Sequence, residues 1–242
     1  MEINVFMNQI ELNDLYDYDM KIYQNKDYFK FSVDSVLLAE FVKVRKNSKN
    51  ILDLCSGNAP IPLILSKKYG SKINIVAYEI QKEIYELGKE SIEVNNISNI
   101  DYRNDDIKNI NFKTKYDIVT CNPPYFVYHN EKIINDNDIL AKARHEITTN
   151  LDEVVSIAAK SLNVGGYFYL VHTSSRIIEI IEALKKYKFG IKRIVPVYDN
   201  RNGESSLILI EALYGGKDYV KIDKPVYIDE NKTYQGIFGG TK

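Results

Sequence analysis

The residues best suited to chemistry in this sequence are Asn122-Pro123-Pro124-Tyr125, which directly follow the apolar run Ile118-Val119-Thr120-Cys121. Two consecutive prolines fix φ near about −65°, remove two backbone donors and hold the preceding residues extended. The segment therefore predicts a rigid lip that presents an amide oxygen, carbonyl oxygens and an aromatic ring. Such a lip suits a planar substrate with an NH2 group, whose hydrogens need acceptors and whose ring needs a face for stacking. The alternative is a simple turn with Tyr125 in the core.

A turn of small residues follows another apolar run. Ile51–Leu54 leads into Cys55-Ser56-Gly57-Asn58-Ala59. A dinucleotide cradle needs several glycines at fixed spacing so that the backbone can approach phosphate closely, and only Gly57 is present in this turn. The turn therefore predicts a binding loop for a flatter, nucleotide-like ligand, and it disfavours a nucleotide-dependent oxidoreductase.

Carboxylates stand at the ends of the next two apolar runs. Glu79 follows Ile73–Tyr78, and in doubly wound nucleotide sites a carboxylate at this point accepts hydrogen bonds from both ribose hydroxyls. The alternative for Glu79 is a surface carboxylate that caps the helix beginning at Gln81. Asp105-Asp106 follow the third run, and one of the two is predicted to accept from an adenine amine while Ile107 packs on the ring. The sequence leaves the choice between these two acids open.

These segments need a sheet to bring them together, and from residue 50 the chain alternates strand and helix patterns. We predict strands at Ile51–Leu54, Ile73–Tyr78, Asp101–Asn104 and Tyr116–Cys121. Strands separated by helices imply a parallel sheet, in which ligands gather at the carboxyl ends of the strands. The lip, the turn and the carboxylates are therefore predicted to share one edge of the sheet.

The flanking segments give weaker signals. Residues 1–27 predict an irregular lead-in, and residues 126–147 lack core periodicity, which is typical of functional or disordered loops. A strand and a helix are predicted over 28–49, with Ser32 or Asp34 as the helix cap. After the loop we predict a helix Leu151–Leu162 ending near Gly165-Gly166, a strand Tyr167–Val171, a helix Ile177–Tyr187, and an antiparallel pair, Ile191–Tyr198 and Ser206–Leu213. The tail over 215–242 is predicted as an extension of a single domain over 28–214.

Composition limits the function classes. The 242 residues suit one α/β domain, and the formal net charge of −1 means that any contact with nucleic acid must be local. The N-terminus lacks a basic targeting segment, and we expect a soluble, cytosolic protein. Cys55 and Cys121 lie far apart in sequence, so neither a disulfide framework nor a metal site is indicated.

The order of these motifs resembles the class I S-adenosylmethionine-dependent amino-methyltransferases. Four further segments narrow the resemblance to the bacterial tRNA1(Val) adenine-N6 methyltransferase family, which modifies the adenosine immediately 3′ of the anticodon. These segments are 31–39 (Phe-Ser-Val-Asp-Ser-Val-Leu-Leu-Ala), 53–63 (Asp-Leu-Cys-Ser-Gly-Asn through Ile-Pro-Leu), 78–81 (Tyr-Glu-Ile-Gln) and 143–146 (Ala-Arg-His-Glu). The sequence departs from the family at Cys55, where glycine is common, and at Ala59, where glycine or another small residue is usual.

The resemblance implies a Rossmann-like fold, with a mostly parallel seven-stranded sheet, a terminal antiparallel strand and helices on both faces. It also implies S-adenosylmethionine as cofactor. The side-chain oxygen of Asn122 and the carbonyl of Pro123 would accept the two amine hydrogens of adenine, while Tyr125 stacks on its face. Asp34 and Ser35 are assigned to the methionine end of the cofactor. The other implied cofactor contacts are Asp53, Cys55, Ser56, Gly57, Asn58, Glu79, Ile80, Asp106, Ile107 and Asn122.

The expected partner is tRNA, bound through its anticodon stem-loop by a protein expected to be a monomer. Residues 176–201 hold seven lysines and arginines against three acids, and Lys185 and Lys186 are our candidates for RNA contacts. Arg144 and His145, in the long loop beside the lip, are the other candidates. A solvated charged face is the alternative.

The lip itself leaves other enzymes open. Protein-glutamine and rRNA-guanine methyltransferases share Asn-Pro-Pro-Tyr, although the former usually carry a larger N-terminal domain. A catalytically silent module that binds RNA or nucleotide is the non-enzymatic alternative.

Overall fold

The computed structural model describes residues 10–15, 18–25, 33–124, 150–230 and 233–238. Within these ranges the apolar runs form a nine-stranded sheet. Its strands are β3 (Asn50–Leu54), β4 (Asn74–Glu79), β5 (Ile100–Asn104), β6 (Tyr116–Cys121), β7 (Leu162–Thr173), β8 (Phe189–Tyr198), β9 (Ser205–Tyr214), β10 (Lys221–Ile222) and β11 (Val226–Tyr227).

The strand order is β10-β8-β9-β7-β6-β3-β4-β5, with β11 beside β8. Neighbours from β7 to β5 are parallel, whereas β9 runs antiparallel to both β7 and β8. Seven long strands thus carry the sheet, and two short ones extend its β8 edge. The predicted Rossmann-like fold is confirmed, with the antiparallel strand lying between β7 and β8.

Helices cover both faces of this sheet. They are α1 (Val33–Phe41), α2 (Pro60–Tyr69), α3 (Lys82–Val94), α4 (Leu151–Ser161) and α5 (Ile177–Lys186). Successive residues of a strand point to opposite faces, and accordingly Ile51 packs in the cluster that includes α1 and α2, while Leu52 packs in the cluster with α4 and α5. The central strands are therefore buried on both sides, as their continuous apolar sequences predict. No described helix is both long enough and apolar enough to cross a membrane.

The expectation of an irregular lead-in over residues 1–27 is wrong for its described part. Ile10–Asp14 (β1) and Lys21–Asn25 (β2) form an antiparallel pair that packs against α3. The backbone N–H of Tyr23 donates to Ser91 Oγ at 2.9 Å, and that of Lys21 donates to Asn95 Oδ1 at 2.9 Å. These anchors lie about seventy residues away in sequence, so local periodicity could not show them.

Helix α4 also ends earlier than predicted. The helix stops at Ser161, and Leu162 already pairs with Tyr116 of β6. The pairing is irregular after Tyr116, and Gly166 lies so close to β6 that a Cβ atom there would stand 3.1 Å from the carbonyl oxygen of Asp117. The two glycines that looked like a helix stop therefore serve a bulge and a close backbone approach within β7.

A buried carboxylate joins the two ends of the described chain. Glu40 of α1 is 6% exposed and accepts hydrogen bonds from Tyr18 and from the backbone of Gly236, and it forms an ion pair with Lys68 of α2 at 3.1 Å. Burial lowers the pKa of Lys68, and the Glu40 charge opposes this effect. Segments from both termini are thus fastened to the same helix.

Candidate active site

The register of the sheet places the predicted site residues along one edge. Leu54 pairs with both Tyr78 and Cys121, and Glu79 pairs with Asn104. The turn after β3, the carboxylate ending β4, the acids after β5 and the amide after β6 therefore follow neighbouring carboxyl ends. Only the described part of the lip, from Asn122 to Pro124, contributes to this geometry.

The turn after β3 has an unusual backbone. Cys55, Gly57 and Ala59 have φ values of 57°, 57° and 69°, in the left-handed region where glycine is favoured. The Ser56 N–H donates to the Tyr78 carbonyl at 2.9 Å and fixes the turn to β4. A Cβ atom on Gly57 would meet no atom within 4 Å, so the outer side of the turn is open. The turn is thus a tight loop with room above it.

Glycine at Cys55 or Ala59 should make the protein more stable. Both residues adopt positive φ although they carry a Cβ atom, which costs about 1 kcal/mol, and glycine removes this cost at the expense of backbone entropy. We expect Ala59→Gly to raise the free energy of unfolding by about 0.5 kcal/mol, measured by urea titration. Ala39→Gly within α1 is the matched control and should destabilise by about 1 kcal/mol. An equal decrease in the free energy of unfolding in both variants would contradict backbone strain at Ala59.

Glu79 is a buried carboxylate and not a surface cap. It is 5% exposed, and its two oxygens accept from the N–H groups of Gly57 and Gln81, each at 2.9 Å. Burial raises its pKa, and these backbone bonds oppose the rise. The Gln81 bond matches the capping alternative in part, but burial and the Gly57 bond tie Glu79 to the loop. Each carboxylate oxygen has a second lone pair with which it can accept from a ribose hydroxyl.

Asp53 lies beneath the same loop. Its side chain is completely buried, and its Oδ1 accepts a hydrogen bond from the Thr120 hydroxyl of β6. Oδ2 has no hydrogen-bond partner in the described structure. Burial raises the pKa of Asp53 to about 7, opposed by the hydroxyls of Thr120 and Ser56 and reinforced by the Glu79 charge. A buried acceptor without a partner is costly, and here it lies at the edge where a ligand is expected.

The acids after β5 are both engaged in local hydrogen bonds. Asp105 Oδ1 accepts from the Asp106 N–H and from Asn109, each at 2.8 Å, while Asp106 Oδ1 accepts from the Lys108 N–H at 2.9 Å. Asp106 is the less exposed of the two, and Ile107 beside it is 5% exposed. The choice between the acids stays open, because neither carboxylate is fully occupied by these bonds.

The start of α1 orients the lip. Asn122 Nδ2 donates to Ser35 Oγ at 2.9 Å, which directs the amide nitrogen toward α1 and its oxygen away from Ser35. Ser35 and its neighbour Asp34 are 6% and 5% exposed, and Pro123 is also buried. The lip is therefore a supported element with a defined amide orientation, not a loose turn.

Comparisons with known proteins identify the family of this chain. The family model described as the methyltransferase small domain matches residues 28–190. The chain belongs to this family. A curated relative, the tRNA1(Val) (adenine(37)-N6)-methyltransferase of Pseudoalteromonas translucida, is 26% identical over 162 residues, which cover 67% of this chain and 68% of the relative.

Solved structures show the same fold. A predicted O-methyltransferase from Agrobacterium tumefaciens superposes with a TM-score of 0.63 at 18% identity, covering 80% of this chain and 86% of that one. TYW2 from P. horikoshii, solved in complex with MeSAdo, gives a TM-score of 0.60 at 13% identity, covering 86% of this chain and 72% of that one. At these identities the likeness shows the fold.

The predicted cofactor of this methyltransferase, S-adenosylmethionine, is confirmed by the family together with the fold. The described residues fit such a molecule. An open turn borders the edge, Glu79 can accept from hydroxyls, and the unpartnered Oδ2 of Asp53 is a ready acceptor for a cationic group. Ile80 is 48% exposed and offers an apolar surface to a flat ring. The described residues contain no group of three or more His, Cys, Asp or Glu side chains arranged to hold a metal ion.

Two of the residues predicted to contact RNA do not lie at the carboxyl edge of the sheet. Lys185 and Lys186 occupy the last turn of α5, just before β8. The start of β8 pairs with the end of β9, which pairs with the β7 residues beside the start of β6. By this register the two lysines lie toward the amino edge of the sheet, opposite Asn122.

Both lysines also have acidic partners, Asp218 for Lys185 and Asp152 for Lys186. Their position and pairing count against the RNA contacts predicted for them. Tyr125, Arg144 and His145 lie outside the described residues, so their predicted roles stay predictions.

The structure adds two residues of the methyltransferase site that sequence reasoning missed. Tyr102 of β5 is partly buried, and its hydroxyl donates to the Gly57 carbonyl, which ties β5 to the turn. Thr120 bonds to Asp53 from the neighbouring strand. A signal for Thr120 was present, because it is the one hydroxyl in the apolar run 118–121.

The two cysteines lie at adjacent strand ends, Cys121 as the last residue of β6 and Cys55 directly after β3. Cys121 is buried and Cys55 is partly exposed. Burial raises the pKa of the Cys121 thiol, and the neighbouring Cys55 thiol raises it further. The Cys121 thiol is therefore largely protonated at neutral pH, near the β3–β6 end of the site.

Proposed function

We propose that this methyltransferase is a cytoplasmic enzyme that transfers a methyl group from S-adenosylmethionine to the N6 amine of an adenosine in the tRNA anticodon loop, immediately 3′ of the anticodon. One observation carries the proposal. The Asn122 amide is held by Ser35 at the same sheet edge as Asp53 and Glu79. The names of the curated relatives support tRNA adenine as the substrate class.

Residues of three strand ends would hold the cofactor. Glu79 would accept hydrogen bonds from the ribose hydroxyls, and Asp106 or Asp105 would accept from the adenine amine. Asp53, with its buried and unpartnered Oδ2, would face the ammonium of the methionine part. When bound, S-adenosylmethionine would supply a methyl group on a sulfonium centre, from which a neutral thioether leaves readily.

Positioning of the amine is then the main task of the protein. The Asn122 side-chain oxygen and the Pro123 carbonyl accept the two hydrogens of the target amine. These two bonds fix the plane of the NH2 group and aim the nitrogen lone pair at the methyl. No general base is required, because the amine proton can leave to water after transfer. Tyr125 would stack on the base, as the resemblance implies.

A loop adenosine suits such a site. The target base has to leave its stack to reach the lip, and extrusion costs a few kcal/mol in a duplex but less from a loop. The net charge of −1 provides no general attraction for RNA. Recognition therefore depends on local contacts near the lip, where Arg144 and His145 are the candidates from the sequence.

The test is methylation of unmodified tRNA in vitro. The purified protein is incubated with labelled S-adenosylmethionine and total tRNA, and the product nucleoside is identified and mapped by mass spectrometry. We expect N6-methyladenosine immediately 3′ of one anticodon, and about 10² to 10³-fold less label in the Asn122→Ala control. Label in guanosine when ribosomal RNA is offered, or in glutamine when a protein substrate is offered, would replace the adenine assignment. Cofactor binding without transfer to any of these would favour a silent module.

A further inference from the structure

The hydroxyl of Thr120 has a specific partner in the interior. Thr120 and Asp53 are direct neighbours on β6 and β3, and both are completely buried. Thr120 Oγ1 donates to Asp53 Oδ1. The strands around them are apolar, so this is a polar contact within the central part of the sheet. A hydroxyl placed here does more than fill space, because valine would fill the same volume without a polar atom.

Asp53 is also only half satisfied. Oδ1 is bonded to Thr120, whereas Oδ2 is buried without a partner in the described structure. The backbone carbonyl of Asp53 accepts from Ser56 at 3.2 Å, which fixes the main chain but leaves Oδ2 unpaired. A half-bonded buried carboxylate at the edge of a cofactor site points to a ligand that completes it.

We propose that Thr120 is a positioning residue that orients Asp53 and favours its ionised form for the ammonium group of S-adenosylmethionine. This inference rests on the part of the proposed function that assigns Asp53 to the cofactor. It does not depend on the identity of the methylated substrate. Thr120 itself touches Asp53 and acts on the cofactor only through it.

Binding of the cofactor ammonium group should change the protonation of Asp53. Asp53 has a pKa of about 7 without a ligand, and a bound ammonium lowers that pKa because opposite charges favour ionisation. Cofactor binding near neutral pH therefore releases part of a proton, and affinity rises as the pH increases from about 6 to 7.5. Without the Thr120 hydroxyl, the pKa of Asp53 rises further and the affinity profile shifts to higher pH.

Other ionisable groups face Asp53 from the surrounding elements. They are Glu79 at the end of β4, Tyr102 of β5, and Cys121 and Cys55 beside it. Asp34 lies at the start of α1, and the Glu40–Lys68 pair lies between α1 and α2. All of them are unchanged between wild type and a Thr120 variant. The difference between the two pH profiles therefore reports on Asp53.

The test is calorimetric titration of the full chain with S-adenosylhomocysteine, which carries the same ammonium and cannot react. Thr120→Val and Thr120→Ser are compared with wild type from pH 6 to 8, each in two buffers with different heats of ionisation. We expect Thr120→Val to bind about tenfold more weakly at pH 7, with its profile shifted upward by about one pH unit. Thr120→Ser should restore the wild-type profile, because it keeps the hydroxyl.

Several outcomes would overturn the inference. A Thr120→Val variant with the wild-type pH profile would do so, as would a serine variant that behaves like valine. Should Thr120→Val fail to fold, Thr120→Ala takes its place with the same expected upward shift of the profile. Wild-type binding near pH 7 must also release a proton, and Asp53→Asn must abolish that release. Failure to methylate tRNA would leave these binding results standing, so the two proposals fail separately.

Discussion

Replacing Asn122 by alanine should reduce methyl transfer by about 10² to 10³-fold while cofactor affinity stays within about threefold of wild type. A loss of this size follows the removal of one well-placed hydrogen-bonding group at a reacting atom. In the proposed mechanism the Asn122 oxygen is one of two acceptors that fix the plane of the target amine, so its loss would leave the nucleophile free to rotate. The turn after β3 (residues 55–59) and Glu79, which would hold the cofactor, are the same in this variant as in wild type.

The Ser35 bond provides a graded control for this prediction. Ser35→Ala removes the hydroxyl that accepts from Asn122 Nδ2 but keeps the amide itself. We expect an intermediate loss of about tenfold in kcat, because the amide can then flip or rotate. Single-turnover transfer and equilibrium binding should be measured on the same preparations. Full activity of the alanine variant at Asn122 would remove the lip from the mechanism, and equal losses in both binding and transfer would indicate a folding defect instead.

The sequence was most informative where strands alternate with helices. Strands β3 to β6 lie close to their predicted positions, because buried parallel strands are short continuous apolar runs with polar residues at their ends. The same rule placed Glu79 and Asn122 at one edge. Here each local pattern has a single structural meaning, and the shared edge follows from the topology alone.

The residues that sequence reasoning missed depend on contacts between distant segments. The pair β1–β2 is held by Ser91 and Asn95 of α3. In the turn after β3, the Asn58 side chain donates to the Tyr23 carbonyl at 2.9 Å, so the pair β1–β2 also supports this turn. A short strand that takes its stability from another element carries no clear pattern of its own. Likewise, the pairing of Lys185 and Lys186 with acids more than thirty residues away could not be read from a count of charges.

Asp53→Asn should stabilise the unliganded protein at high pH and weaken cofactor binding at the same time. The pKa of Asp53 is about 7 in the folded protein and near about 3.9 in an unfolded chain. Asp53 therefore holds its proton more tightly in the folded state than in the unfolded state. The loss of folding stability caused by a buried Asp53 charge is absent below about pH 4. It grows as the pH rises and is complete above about pH 7. Asparagine cannot ionise, so the variant escapes this penalty.

The pH dependence separates this effect from ordinary damage to the core. Asparagine keeps an acceptor for Thr120 but places an NH2 group where Oδ2 has no partner, at a cost of about 1–3 kcal/mol that does not vary with pH. Between pH 5 and pH 8, the free energy of unfolding of the variant relative to wild type should rise by about 2 to 3 kcal/mol. Urea unfolding without cofactor at both pH values measures this change. A difference between the two proteins that is the same at pH 5 and pH 8 would mean that Asp53 is not the titrating group.

The same substitution should weaken S-adenosylhomocysteine binding at pH 8 by at least about tenfold, because the ammonium then meets an amide in place of a carboxylate. A substitution that raises stability but lowers affinity indicates a residue that serves ligand binding. Substitution of a residue that serves packing would lower both quantities together. Glu79 provides a contrast at the same edge. Its two oxygens already accept backbone N–H groups, so Glu79→Gln should gain less stability at pH 8 than Asp53→Asn. In Glu79 each oxygen already accepts one backbone N–H, whereas in Asp53 Oδ2 accepts none, so the larger gain at Asp53 would mark the carboxylate that a bound cation completes.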